Sequence, residues 1–263
     1  MIAFADGRMV LYPGLMARIE INAPKRRNAL SRSMWLAVPL ICDAIEADEA
    51  IRAVLLTASA DAGGTFCAGA DISEFAEVYA SVASTTDYNA LVRTAQARLR
   101  ELARPVVAVI AGPCIGGGCG LALAADLRFA GPAARFGIPA ARLGLAYSAE
   151  DTAQLVEKIG PARAKDLLFS ARMIGADEAL AIGLIERIIP APALLAEATA
   201  YADDMAMHSG QSIRAAKAAI NRLTAPDSAV GAALAEAFAA SFASADFAEG
   251  RAAFLERRQP KFD

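Results

Sequence analysis

Cys114-Ile115-Gly116-Gly117-Gly118-Cys119-Gly120 follows an apolar run at 105–110 that reads as a buried strand and precedes one at 121–125 that reads as a short helix. Glycine at such a corner lets backbone N–H groups be aimed at a ligand oxygen, and several chemistries use that device. Spacing separates them. A dinucleotide fingerprint needs a third glycine at the sixth position, where counting from Gly116 gives Leu121 and from Gly118 gives Leu123. A triphosphate loop needs lysine after its last glycine, and Gly118 is followed by Cys119. Gly112-Pro113-Cys114-Ile115-Gly116 has the spacing of a nucleophile elbow with cysteine for serine, and His208 lies downstream. Pro113 is awkward in so strained a turn, and a buried structural Cys114 is the plainer reading.

Working outward, a strand is expected over 15–21, ended by Asn22-Ala23-Pro24, and then a helix from the N-cap candidate Ser31 with Trp35, Val38, Ile41 and Ile45 on one face. A short strand at 54–57 feeds a second glycine-rich loop, Gly63-Gly64-Thr65-Phe66-Cys67-Ala68-Gly69-Ala70-Asp71-Ile72. A helix over 87–102 and a strand over 127–130 complete an alternating first half. Helices at 152–158, 162–169, 176–182, 192–207, 211–223 and 231–243 dominate the second.

The 263 residues are 56% hydrophobic and 21% charged, enough for a sizeable core, and the formal charge of -3 leaves no basic surface for nucleic acid. The first twenty residues carry Asp6, Arg8, Arg18 and Glu20, so neither a signal peptide nor a membrane span is expected and the cytoplasm is the expected location. Cysteines at 42, 67, 114 and 119 with the single His208 fit no zinc spacing, so reduced thiols and no metal are expected.

Taken together, the loops at 66–72 and 114–120 resemble the paired oxyanion-hole loops of the crotonase superfamily, the enoyl-CoA hydratase/isomerase family. The likeness extends along the chain. Asn22-Ala23-Pro24-Lys25-Arg26-Arg27-Asn28-Ala29-Leu30 is similar to the family's acyl-CoA entry segment, Phe136-Gly137-Ile138-Pro139 with Arg142-Leu143-Gly144 to its third loop, and Phe247 to Arg258 to its terminal helix.

The resemblance implies an α/β fold: a spiral of ββα units with nearly perpendicular sheets over 1–195, then a helical oligomerisation region over 196–263 that builds a homotrimer or a hexamer of paired trimers. It also implies an acyl-CoA substrate and no tightly bound cofactor beyond the CoA of that substrate. The N–H groups of Ala70 and Gly117 would hold the oxygen of a thioester enolate, with Gly116 and Gly118 allowing the backbone to approach it. Ala68, Asp71 and Ile72 would cradle the CoA. Lys25 and Arg26 would meet its phosphates, with Phe254 and Lys261 reaching over it.

The hydratases of that family place glutamates where this chain has Gly120 and Ala140, and neither residue can move a proton. Ser148 stands at a third acidic position. Efficient hydration is therefore not expected. Leu143 to Asp151 is similar to the methylmalonyl-CoA decarboxylase branch, in which a tyrosine matches Tyr147, although that branch has histidine at the position of Ala70. Tyr147 and Glu150 become the candidate catalytic side chains, and Asp151 is expected to close a capping box with Ser148. A malonyl-type decarboxylase, a CoA-thioester binder without catalysis and the remote Cys114 hydrolase stay open as alternatives.

Overall fold

The computed structural model describes residues 1–224 and 245–261. Its larger sheet has seven strands, ordered β1 (Ile2–Phe4), β2 (Met9–Tyr12), β3 (Met16–Ile21), β4 (Ala53–Ala58), β5 (Val106–Ile110), β7 (Leu127–Ala130) and β10 (Arg187–Ile188). From β3 onward neighbouring strands are parallel, while β1, β2 and β3 form an antiparallel meander. A smaller sheet joins β6 (Pro113–Ile115), β8 (Arg135–Gly137) and β9 (Ile174–Gly175).

The central strands read as continuous apolar runs because both of their faces are covered. Alternation then sorts their side chains between two cores. Val54, Leu56, Val106, Ala108 and Ile110 face the main core with Trp35, Val38, Ile41 and Ile45 of α1 (Arg32–Ala47). Ala53, Leu55, Val107 and Val109 face a second core closed by Leu194, Ala198 and Ala202 of α7 (Leu194–Met207), so the expected division at 195 runs through a helix packed under the sheet.

The other helices are α2 (Phe75–Val78), α3 (Val82–Glu101), α4 (Gly117–Leu123), α5 (Ala149–Ser170), α6 (Ala176–Ala181), α8 (Gly210–Leu223) and α9 (Ala245–Leu255). Helix α3 starts five residues before the expected 87, because Ser81 and Ser84 close a reciprocal capping box there. The pair expected at 152–158 and 162–169 is α5, broken at Gly160 (φ 75°, ψ 163°) ahead of Pro161. The helix expected at 231–243 lies outside the described residues. Strands β1, β2, β6, β8, β9 and β10 were not expected as strands; they are two to four residues long and too short to show a period. Among the described residues no helix is long and apolar enough to cross a membrane.

Helix α9 folds back on the third loop. Gly144 (φ +65°) lies against the Asp246 carbonyl, and a Cβ at Gly250 would stand 2.5 Å from the Leu143 oxygen. Phe247 of the same helix meets Tyr79 edge-on at 4.9 Å between ring centroids.

Candidate functional site

The two glycine-rich loops are bound to each other. A parallel bridge joins Cys67 to Cys114, Ile115 donates to the Cys67 carbonyl (2.9 Å), and a Cβ at Gly118 would stand 2.7 Å from Cys67 Cβ. Gly118 therefore seats one loop on the other, which corrects the expectation that it makes room for a ligand. Gly116 does need its freedom: at φ 53° and ψ -115° it turns the chain from β6 into α4.

This seating brings two amides together. Leu30 bridges Ala70 through the Gly69 carbonyl (2.7 Å) and the Asp71 N–H (3.0 Å), which turns the N–H of Ala70 itself to the other side. Gly117 is the first residue of α4, so its N–H has no acceptor within the helix. A Cβ built on Gly117 would lie 3.7 Å from the Ala70 nitrogen and 3.2 Å from Trp35 Cζ2.

Both amides line a cavity of about 280 Å³, whose apolar walls include Trp35, Phe75, Tyr79, Tyr88 and Val92. The wall is braced by the Trp35 indole donating to the Tyr88 hydroxyl (3.2 Å) and by edge contacts of Tyr79 with Phe75 and Tyr88. Of the residues singled out in the sequence, Ala68, Ala70, Ile72, Gly117, Ala140, Tyr147, Glu150 and Phe254 line this cavity.

Lys25, Arg26, Asp71 and Lys261 do not line it. Lys25 and Arg26 sit on a 3₁₀ turn, Pro24–Arg26, and Arg26 pairs with Asp71 at 3.3 Å, tying the entry segment to the first loop. Lys261 is held through its backbone N–H on Glu249 Oε1 (2.7 Å). Cys114 is wholly buried in β6 and burial pushes its thiol well above the ordinary range. The imidazole of His208, at the exposed end of α7, faces Asp204 at 3.7 Å. Nothing among the described residues pairs that histidine with Cys114, so the elbow reading has no site.

Three buried polar atoms of residues that line the cavity lack hydrogen-bond partners among the described residues: Gln96 Nε2, the Tyr147 hydroxyl and Asp151 Oδ1. Burial and then the neighbouring Asp151 charge push the Tyr147 phenol well above its usual range, so it is a neutral donor. Glu150 points to a more open place and pairs with Arg93 at 3.8 Å.

Asp151 is the residue that sequence reasoning missed. Ser148 caps α5 as expected, accepting from the Asp151 N–H (3.0 Å). The Asp151 carboxylate does not complete the box: its Oδ2 accepts from the Ser148 hydroxyl (2.7 Å), while Oδ1 is buried beside Gly120 without a partner among the described residues. Burial raises its pKa to about 6, with Ser148 and the Gln96 amide pulling the other way and Glu150 adding to the rise. Gln96 Nε2 is buried beside it. Among the described residues no cluster of three His, Cys, Asp or Glu is placed to hold a metal ion.

The two sheets and their helices make up the crotonase fold, which solved structures share. An enoyl-CoA hydratase/isomerase family protein from Hyphomonas neptunium superposes with a TM-score of 0.80 at 38% identity, covering 97% of each chain. A methylmalonyl-CoA decarboxylase, at 23% identity, shares the fold with a TM-score of 0.84 over 97% of this chain and 98% of its own. The enoyl-CoA hydratase/isomerase family model matches residues 13–263, and this chain belongs to that family. The crotonyl-CoA hydratase of Syntrophomonas wolfei is 34% identical over 94% of each chain. The short-chain-enoyl-CoA hydratase of Clostridium acetobutylicum is 34% identical over 94% of this chain and 93% of its own.

Proposed function

We propose that this protein binds an acyl-CoA and stabilises the enolate of its thioester between the N–H groups of Ala70 and Gly117. The observation that carries this reading is the pair of outward-turned amides at one end of an apolar cavity. Two fixed donors hold developing negative charge better than water because they need no reorganisation, and the positive end of α4 adds to them. Family membership supports an acyl-CoA as the ligand. Lys25 and Arg26, outside the cavity, would meet the CoA phosphates, while Ala68 and Ile72 at its rim and Phe254 opposite would flank the pantetheine. Assembly into trimers or hexamers through the C-terminal helices belongs to the same reading.

Gly120 and Ala140 supply neither of the two carboxyl groups that the hydratases of the family use on the water, so efficient hydration is not expected. A second reading, loss of carbon dioxide from a malonyl-type thioester, rests on the buried Tyr147 hydroxyl, which could orient a substrate carboxylate. The Asp151 carboxylate close to that phenol weighs against it, because it would repel a second carboxylate there.

A panel of 2-enoyl-, 3-enoyl- and malonyl-type CoA thioesters, read by mass spectrometry alongside thermal stabilisation, tests the reading. Stabilisation by the thioesters is expected, with turnover of a substrate that passes through an enolate. Absence of stabilisation by any of them would overturn it. Stabilisation without turnover would leave a binder, and rapid conversion of a 2-enoyl-CoA to its 3-hydroxyacyl form would overturn the exclusion of hydration.

A further inference from the structure

The cavity holds an acid that the glycine loops do not account for. Asp151 is 5% exposed, its Oδ1 has no hydrogen-bond partner among the described residues, and it lines the same cavity as Ala70 and Gly117. Leaving a carboxylate oxygen buried and unpaired costs several kcal/mol at most sites, so a helix cap alone would not hold it there. The cap works through the Asp151 backbone N–H, which any residue supplies.

Its position is set by a neighbour with no side chain. A Cβ at Gly120 would stand 2.6 Å from Asp151 Oδ1, and closer still to Gln96 Nε2, so both polar groups occupy the space beside α4 that a residue at 120 would fill. Gly120 lies three residues after Gly117 on that helix, about 4.5 Å along its axis. A carboxylate there is one turn from the amide that would hold the enolate oxygen.

We propose that Asp151 is the acid–base residue of this site, exchanging a proton with the carbon next to the thioester carbonyl. The proposal rests on the reading of Ala70 and Gly117 as the enolate-holding pair. In the forward step the C2–H bond breaks, its proton passes to Asp151 Oδ1, and its electron pair moves into the carbonyl to give the enolate oxygen between the two amides. In return the acid gives the proton back to carbon and the carbonyl re-forms. Gln96, unpartnered on Nε2, can donate to the carboxylate or to substrate and so position the exchange. Glu150 also lines the cavity but is tied to Arg93 and a third open to solvent.

The surroundings suit the role. The titratable residues that line the cavity with Asp151 are Tyr79, Tyr88, Arg93, Tyr147 and Glu150, and Arg93 is engaged by Glu150. Burial raises the Asp151 carboxyl to about 6, so it is ionised, yet still a competent base, at neutral pH.

The test is deuterium uptake at C2 of 3-butenoyl-CoA in D₂O, whose C2 protons are acidified by both the carbonyl and the double bond. The wild-type protein is expected to catalyse uptake, with a rate that rises with pH through a midpoint near 6. Asp151→Asn should lose at least about a hundredfold while CoA thioesters still stabilise it, and Asp151→Glu should recover part. Uptake by Asp151→Asn at the wild-type rate overturns the assignment. Wild-type protein that is stabilised by 3-butenoyl-CoA yet takes up no deuterium overturns it too. If no thioester stabilises the protein, it is the underlying reading of the amide pair that fails. Should Asp151→Asn not fold, a wild-type profile without a limb near 6 rejects the proposal by itself.

Discussion

Asp151 occupies the ground that Gly120 vacates: with Oδ1 2.6 Å from where a Cβ at 120 would be, the carboxylate and the glycine cannot be changed independently. Gly120→Ala must push Asp151 or Gln96 aside, and both are buried. Overpacking of this kind costs about 1–3 kcal/mol. The variant is expected to lower the melting temperature and the rate together, measured by calorimetry and by turnover. An Asp151→Gly, Gly120→Ala double variant should recover stability but not rate, because it relieves the crowding without restoring a base.

Asp151 also carries a stability signature. Its carboxyl in the fold titrates near 6 against 3.8 for the free side chain, a difference of about 2 units or ~3 kcal/mol. Below about pH 4 both folded and unfolded chains hold the proton and no penalty exists. As pH rises from 4 to 6 the unfolded chain gives its proton up first, so stability falls, and above 6 the deficit is constant. Asp151→Asn is therefore expected to be more stable than wild type at pH 8 and equal to it near pH 3.5, by denaturant titration at the two pH values. A variant less stable at pH 8 would mean that the Ser148 bond, not burial of the charge, dominates.

Arg26 and Asp71 join the entry segment to the first loop, with Arg26 more than half exposed and Asp71 mostly covered. Exposed pairs of this kind contribute about 0.2–1 kcal/mol. If Arg26 meets CoA phosphates, Arg26→Gln should raise KM for a CoA thioester a few-fold and leave kcat unchanged. The difference should shrink as salt is raised, because the exposed contact is screened.

The sequence made the glycine loops legible because the role proposed for them resides in backbone, and glycine is the residue that backbone approach demands. Trp35, Val38, Ile41 and Ile45 were legible through their helical period, and the central strands through unbroken apolar runs. Asp151 was not, since a Ser-x-x-Asp pattern at a helix start has a local explanation. The signal lay one step further: Asp151, Leu155 and Ile159 recur every four residues, so the acid falls on the buried stripe of α5. What gave its carboxylate room beside α4, the missing side chain of Gly120, is a tertiary relation that no local pattern contains.

Gly144 couples the terminal helix to the loop that carries Tyr147 and leads into α5. Its φ of +65° and its contact with the Asp246 carbonyl leave no place for a methyl group. Gly144→Ala should cost at least ~1 kcal/mol for the left-handed backbone, and more for displacing α9. Because α9 brings Phe247 to Tyr79 and Phe254 to the cavity, the expected result is a higher KM as well as a lower melting temperature. Unchanged binding in a destabilised variant would show that α9 takes no part in holding substrate.

The contribution of the Gly117 amide can be isolated because it stands at the first position of a helix. Proline is tolerated there: its fixed φ suits the first turn and the N–H it lacks is not used by the helix. Gly117→Pro removes the donor but also adds atoms toward Trp35, where a Cβ would lie 3.2 Å from Cζ2. Gly117→Ala is the control, since it makes the same first contact and keeps the N–H. If the amide holds the enolate oxygen, the proline variant should fall about 10²–10³ in kcat below the alanine variant, while thermal stabilisation by CoA itself is similar in both. Equal rates in the two variants would mean that crowding at Trp35 accounts for the loss and that Gly117 donates nothing to the reaction.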